Sequence, residues 1–327
     1  MRWAANPGEF TGGFEPVVLN PLRTKSITHQ RRRGQGMIAI THDEMSAGKG
    51  DAMVGNGRLV ILGGGNLGSA MARGLVRAGA YRAESITVTR RAEQRLRSLS
   101  AEGFQVTVDN REAVRAASLV LISVRPRQLD RLLDDIADAL DGENHVLVST
   151  VTDVQTSEIR ARLGVDVPVV RAMPNVGVAV GESMTCLACP ADVPPAVREM
   201  VVDVFTSLGR TQFIDEEQMT PATALCACGI AFFLRAIRAA SQGGVQVGFH
   251  ADEAIQLAAQ TARGAAELLL ARDPASHQHP EELIDSVTTP LGVTIAGLNE
   301  MEHQGFSSAL IRGIVTAAEK AQQLHSG

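Results

Sequence analysis

The stretch Arg58-Leu59-Val60-Ile61-Leu62-Gly63-Gly64-Gly65-Asn66-Leu67-Gly68-Ser69-Ala70-Met71-Ala72-Arg73-Gly74-Leu75 decides the fold. Four apolar residues run straight into a glycine cluster, and Leu67, Met71 and Leu75 then recur four apart, as on one face of a helix. Gly63, Gly65 and Gly68 fit the pattern G-x-G-x-x-G. In that pattern the first glycine allows a tight strand-to-helix turn. The second lets a pyrophosphate approach the backbone, and the third lets the helix sit close to the strand. Free N–H groups where the helix opens, at Asn66 and Leu67, would meet the pyrophosphate where the helix dipole favours negative charge. Three glycines alone describe a glycine-rich turn equally well. The strand before, the helix after and a second strand on schedule favour a dinucleotide site.

Working outward, Ser85 to Thr89 reads as that second strand. At its end an acidic residue would accept from the 2′-hydroxyl of NAD. Here Thr89-Arg90-Arg91 stands instead. Hydroxyl and guanidinium suit a 2′-phosphate, which arginine grips bidentately, so NADP(H) is expected in preference to NAD(H). The plainer alternative is two arginines on a solvated helix start. Gln105 to Val108 is a third strand candidate, ending at Asp109-Asn110, with Asn110 a further cofactor contact. Leu119 to Val124 is nearly all apolar, as a buried parallel strand should be, and ends at Arg125-Pro126. His145 to Thr150 and Val167 to Arg171 follow, the latter leading into Met173-Pro174-Asn175. Alternating strands and helices predict an α/β fold with a doubly wound Rossmann sheet. Ligand crevices lie beyond the carboxyl ends of such strands, which places Val124, Arg125, Pro126, Met173, Pro174 and Asn175 near the nicotinamide half.

From about residue 216 the strand patterns stop. Alanine-rich helical stretches cover 219–242, 252–272 and 295–324. A mostly apolar helical region with few large aromatics buries its faces poorly alone, so dimerisation through it is expected. The expected division is 1–57, a disordered N-terminal extension; 58–215, the NADP-binding Rossmann domain; and 216–327, an all-α substrate and dimerisation domain.

A net charge of −5 argues against nucleic acid as a bulk partner. No apolar run approaches the ~20 residues that span a bilayer, and the start of the chain lacks an apolar secretory core. The expectation is therefore a cytoplasmic chain without a membrane partner. Cys186, Cys189, Cys226 and Cys228 could be read as two halves of a zinc site. Their apolar neighbours favour small buried hydrophobes instead, and His277-Gln278-His279 reads as a solvated loop, so no metal is expected.

Taken together, residues 58–325 resemble the pyrroline-5-carboxylate reductase family, enzymes that make proline with NAD(P)H. The glycine loop with Asn66-Leu67-Gly68 resembles the family's opening. Val124-Arg125-Pro126 is similar to its Val-Lys-Pro, and Arg171-Ala172-Met173-Pro174-Asn175 to its Arg-x-Met-Pro-Asn. Thr223-Ala224-Leu225 resembles the opening of its substrate-domain helix, and Thr289-Pro290-Leu291-Gly292-Val293-Thr294 its closing signature. The resemblance implies interlocked dimers, which in the family often assemble further into rings of five, with the active site where one subunit's cofactor domain faces the helical domain of the dimer. It implies reduction of a cyclic imine carboxylate, pyrroline-5-carboxylate or a related ring, by hydride transfer. It implies that backbone N–H groups around Leu291, Gly292 and Val293 hold the substrate carboxylate, while Thr294 hydrogen bonds near the imine nitrogen. Without the resemblance, Thr294 reads as a helix N-cap before Ile295.

The departures cluster where substrate is expected. Cys226 and Cys228 replace two family serines, Leu291 replaces a glycine, and Val151-Thr152-Asp153 replaces a small Ala-Ala-Gly. These changes point to an altered ring, or to a catalytically silent NADPH-binding homologue. A β-hydroxyacid dehydrogenase shares the plan but needs a lysine in its helical domain, and none occurs between Lys49 and Lys320.

Overall fold

A computed structural model describes residues 57–271 and 279–323. The expected N-terminal extension lies almost wholly outside the described residues, as do His277 and Gln278. Eight strands form one sheet: β1 (Leu59–Leu62), β2 (Ile86–Thr89), β3 (Gln105–Thr107), β4 (Leu119–Ile122), β5 (Val146–Ser149), β6 (Val169–Met173), β7 (Ser183–Ala188) and β8 (Gly209–Phe213). Their order is β3-β2-β1-β4-β5-β6-β7-β8. The pairs from β3 to β6 are parallel, β6 and β7 are antiparallel, and β7 and β8 are parallel.

Burial on both faces explains the unbroken apolar runs. In β1, Leu59 and Ile61 face one core with Met71 and Leu75 of α1 (Asn66–Arg77) and Val201, Val204 and Phe205 of α6 (Pro195–Thr206). Val60 and Leu62 face a second core on the other side of the sheet. That core takes Val114 of α3 (Asn110–Arg115), Leu129, Leu133 and Ile136 of α4 (Pro126–Ile136) and Ile159 of α5 (Thr156–Leu163). Each such buried aliphatic side chain contributes roughly 1.5–3 kcal/mol of transfer free energy. The short α2 (Arg97–Ala101) packs Leu99 into the first core. The doubly wound expectation is met, and the strand order reverses between β1 and β4, where such sheets open a crevice.

The edge strand β8 was not expected. Its sequence, Gly-Arg-Thr-Gln-Phe, is largely exposed, so it carries none of the apolar run that marks a buried strand.

Beyond the sheet come α7 (Met219–Ala222), a π-helical turn (Thr223–Cys228), α8 (Gly229–Gln246) and α9 (Ala251–Leu270), then α10 (Pro280–Ser286), α11 (Val293–His303) and α12 (Phe306–Ala321). Two helical expectations need correction. The first stretch is interrupted by the π turn. The last divides at Gly305, which adopts φ +79 and caps the end of α11 with its N–H to the Glu302 carbonyl at 2.9 Å. A third correction concerns apolar length. Glu216–Gln246 is a helical run of 31 residues, long and apolar enough to cross a membrane by length and composition. Phe233 and Leu234 on it are each 58% exposed in the single chain, and Val245, Val247 and Phe249 continue the apolar surface.

Candidate active site

A cleft of about 1160 Å³ opens at the reversal point. It is lined by Gly63, Gly65, Asn66 and Leu67 of the loop, Thr89, Arg90 and Arg91 at the end of β2, Asn110 opening α3, and Val124 and Arg125 after β4. The loop is held by its own backbone. The N–H groups of Gly63 and Gly64 both donate to the Thr89 carbonyl, at 3.1 and 2.7 Å.

The three glycines occupy different surroundings. Gly63 sits at φ +118, and a Cβ there would lie 2.2 Å from the Ser123 carbonyl oxygen. A Cβ at Gly68 would lie 2.1 Å from the Gly63 carbonyl oxygen, so Gly68 packs helix on strand rather than lining the cleft. A Cβ at Gly65 would meet nothing within 4 Å, which leaves backbone open toward the cleft. No side chain caps the start of α1, and the first-turn N–H groups of Asn66, Leu67 and Gly68 have no intrahelical acceptor. Open backbone, a free helix N-terminus and nearby guanidinium groups fit a dinucleotide diphosphate.

At the end of the cleft expected to meet the adenosine, the geometry is more specific than the sequence suggests. Thr89 is buried, and its hydroxyl donates to Asn110 Oδ1 at 2.6 Å. Asn110 Nδ2 in turn donates to Asp135 Oδ2 at 2.9 Å. Thr89 therefore positions Asn110 rather than presenting a free hydroxyl. Arg90 folds back so that Nη1 donates to the Gly64 carbonyl, while Arg91 is exposed.

Several lining residues were missed. Arg127, Arg131 and Asp135 of α4 border the cleft at i, i+4 and i+8, a spacing that places them on one face of the helix. Ser123, Gln128 and Thr150 also line it.

Other expected cofactor contacts lie elsewhere. Pro126 opens α4 at its first position and is absent from the cleft lining. Met173 and Pro174 are buried, with Met173 packed among Cys186, Ala188, Met219 and Ala222. Asn175 ties the sheet to the helical region: its Nδ2 donates to the Cys226 carbonyl at 3.2 Å and its Oδ1 accepts from the Gly177 N–H at 2.8 Å. A second tie was not anticipated. Glu216 accepts from the Thr156 N–H at 2.7 Å and the Thr156 hydroxyl at 2.9 Å, and lies 3.4 Å from buried Arg171. Burial lowers the Arg171 pKa, and the Glu216 charge partly offsets that shift.

Among the described residues, none after 215 lines the cleft. Leu291 is fully exposed at φ +58, Gly292 is the N-cap of α11, and Val293 and Thr294 are exposed in its first turn. Thr294 thus stands inside the helix instead of capping it. Cys226 lies in the π turn with its sulfur 3.8 Å from that of Cys186. Cys228 closes the same turn, half-buried.

Residues 58–153 match the family model described as NADP oxidoreductase coenzyme F420-dependent, and residues 216–324 match pyrroline-5-carboxylate reductase dimerisation. The sheet, its cleft and these matches define an NAD(P)H-dependent oxidoreductase of the Rossmann class.

The chain is 48% identical over 279 residues to pyrroline-5-carboxylate reductase 1 of Dictyostelium discoideum, covering 82% of the chain but half of that protein's length. It is 44% identical to pyrroline-5-carboxylate reductase 2 of the same organism, covering 82% of the chain and 93% of that protein. A solved pyrroline-5-carboxylate reductase from Coxiella burnetii superposes with a TM-score of 0.73 at 26% identity, over 83% of this chain and 99% of that one. The Plasmodium falciparum pyrroline carboxylate reductase, solved with NADP bound, shares the fold with a TM-score of 0.74 at 24% identity, over 83% and 98% of the two chains. The chain belongs to the pyrroline-5-carboxylate reductase family.

Proposed function

We propose that the protein reduces pyrroline-5-carboxylate to proline with NADPH, as a homodimer. The observation that carries this reading is the cleft at the β1–β4 reversal, built for a dinucleotide, in a chain whose remaining third matches the family's dimerisation model. Residues 58–215 form the cofactor domain and 216–327 the substrate and dimerisation domain. Gly63, Gly65, Asn66, Leu67 and Gly68 shape the diphosphate site. Arg90 and Arg91 recognise a 2′-phosphate, with Thr89 and Asn110 setting that end of the site.

Bound there, a nicotinamide supplies the hydride for the imine carbon. The residues of the chain orient the imine, stabilise its protonated form and anchor its carboxylate. The exposed N–H groups opening α11, around Leu291, Gly292 and Val293, hold the carboxylate. Thr294 places its hydroxyl by the imine nitrogen. Because these groups stand apart from the cleft of their own chain, the dimer is what brings substrate and cofactor together. Dimerisation also covers the apolar surface of Phe233 and Leu234, which accounts for a helix of membrane-spanning character without a membrane.

A second reading keeps the chemistry and changes the ring. It is favoured by Leu291 at a positive φ, where the family signature has glycine, and by Cys226 and Cys228 in place of serines. Consumption of NADPH with pyrroline-5-carboxylate and with six-membered piperideine carboxylates, with the product identified, tests both. Fastest turnover of pyrroline-5-carboxylate supports the first reading. Activity on a six-membered ring alone supports the second, and silence on every ring overturns both.

A further inference from the structure

The described residues bring together two thiols 40 positions apart in sequence. Cys186 is buried on β7, and Cys226 is half-buried in the π turn that opens the helical region. Their sulfurs lie 3.8 Å apart amid Met173, Ala188, Met219 and Ala222. A disulfide needs about 2.05 Å, so bond formation asks the sulfurs to close by about 1.8 Å. No group of three or more metal-ligating side chains occurs among the described residues, so a shared metal does not explain the pair.

We propose that Cys186 and Cys226 are an oxidisable dithiol, a modification site at which a peroxide converts two thiols to a disulfide that clamps the π turn to the sheet. The two sulfurs have different roles. With Cys186 as donor across the 3.8 Å contact, the Cys226 thiol is lowered, whereas the same interaction and burial push Cys186 up. Cys226 is also the more accessible, so its thiolate attacks the peroxide first. The peroxide O–O bond breaks, Cys226 becomes a sulfenic acid, and the departing oxygen leaves as hydroxide and takes up a proton to form water. The Cys186 sulfur then attacks the sulfenic sulfur, the S–O bond breaks, and a second water leaves with the Cys186 proton. Two thiols and one hydrogen peroxide thus give one disulfide and two waters.

The position gives the bond a consequence. The Cys226 carbonyl accepts from Asn175, so drawing Cys226 toward β7 disturbs the joint between the sheet and the helical half. The dithiol chemistry is independent of the substrate reading; only the expected loss of turnover rests on it.

The test treats the reduced full-length chain with a small excess of hydrogen peroxide, blocks free thiols and maps non-reduced peptides by mass spectrometry. The expected result is one dominant cross-link between the Cys186 and Cys226 peptides, reversed by dithiothreitol. Turnover should fall about tenfold or more and recover with the reductant, since small displacements near reacting groups carry costs of that order. Cys186→Ala should keep basal turnover, give no cross-link and let dimedone trap a sulfenic acid on Cys226. Dominant pairing through Cys189 or Cys228, or oxidation of Cys226 alone in the unmodified sequence, overturns the dithiol. A complete Cys186–Cys226 cross-link with unchanged turnover overturns the clamp.

Discussion

The sheet half and the helical half of this chain solve opposite problems. The sheet buries both faces within one subunit, and its loop is fixed by backbone hydrogen bonds from Gly63 and Gly64 to Thr89. The helical half leaves Phe233, Leu234, Ile311 and Val315 exposed, and holds Leu291 at a positive φ. The cleft proposed for the cofactor is therefore lined within one chain, whereas the groups proposed for the substrate, Leu291, Val293 and Thr294, stand exposed on it. The two halves should therefore tolerate change differently, the first limited by steric fit within the chain and the second by its exposed apolar face.

The largest effect should come from breaking that steric fit. Gly63→Ala places a Cβ against the Ser123 carbonyl at a φ that L-residues rarely adopt. It should destabilise the sheet half by roughly 2–4 kcal/mol and abolish NADPH binding, as read by thermal unfolding and fluorescence titration. Unchanged affinity would show that the loop is not the diphosphate site. Next, Phe233→Asp puts a charge on the exposed apolar face. Sedimentation should show the dimer weakened about 100-fold or more with the isolated cleft still able to bind NADPH. A dimer of undiminished stability would move the interface elsewhere.

Smaller effects sharpen the same contrast. Arg90→Ala should lower the preference for NADPH over NADH by about tenfold in kcat/KM, the worth of one charge-assisted phosphate contact. Equal losses with both cofactors would make Arg90 a brace for Gly64 only. Leu291→Gly should do least to the fold. It relieves a left-handed conformation costing about 1 kcal/mol, and it should raise pyrroline-5-carboxylate turnover a few-fold. A fall in turnover would mean that the leucine contacts substrate favourably.

Much of the sheet was legible because burial on both faces leaves a visible trace. Leu59–Leu62 and Leu119–Ile122 are apolar throughout, and each glycine of the loop has a distinct steric setting. The polar edge strand β8 left no such trace. The break at Gly305 was masked by helix-forming sequence on either side, although its glycine was in plain view. Contacts between distant segments were invisible for a simpler reason. Nothing in local spacing relates Cys186 to Cys226, or Glu216 to Thr156 and Arg171; only the fold brings them together. The burial of Met173 and Pro174 follows the same logic. They sit at or just past the carboxyl end of β6, as a ligand contact should, and Met173 packs against Met219 and Ala222 of the helical region.

The division of labour between the halves is tested most directly by Thr294→Ala, assayed for NADPH affinity and for kcat/KM with pyrroline-5-carboxylate in the same preparation. Cofactor affinity should stay within about twofold while kcat/KM falls about 100-fold, the usual cost of removing one hydrogen bond to a reacting centre. Unchanged kcat/KM, or a loss of cofactor affinity in step with turnover, would contradict the assignment of substrate chemistry to the helical half.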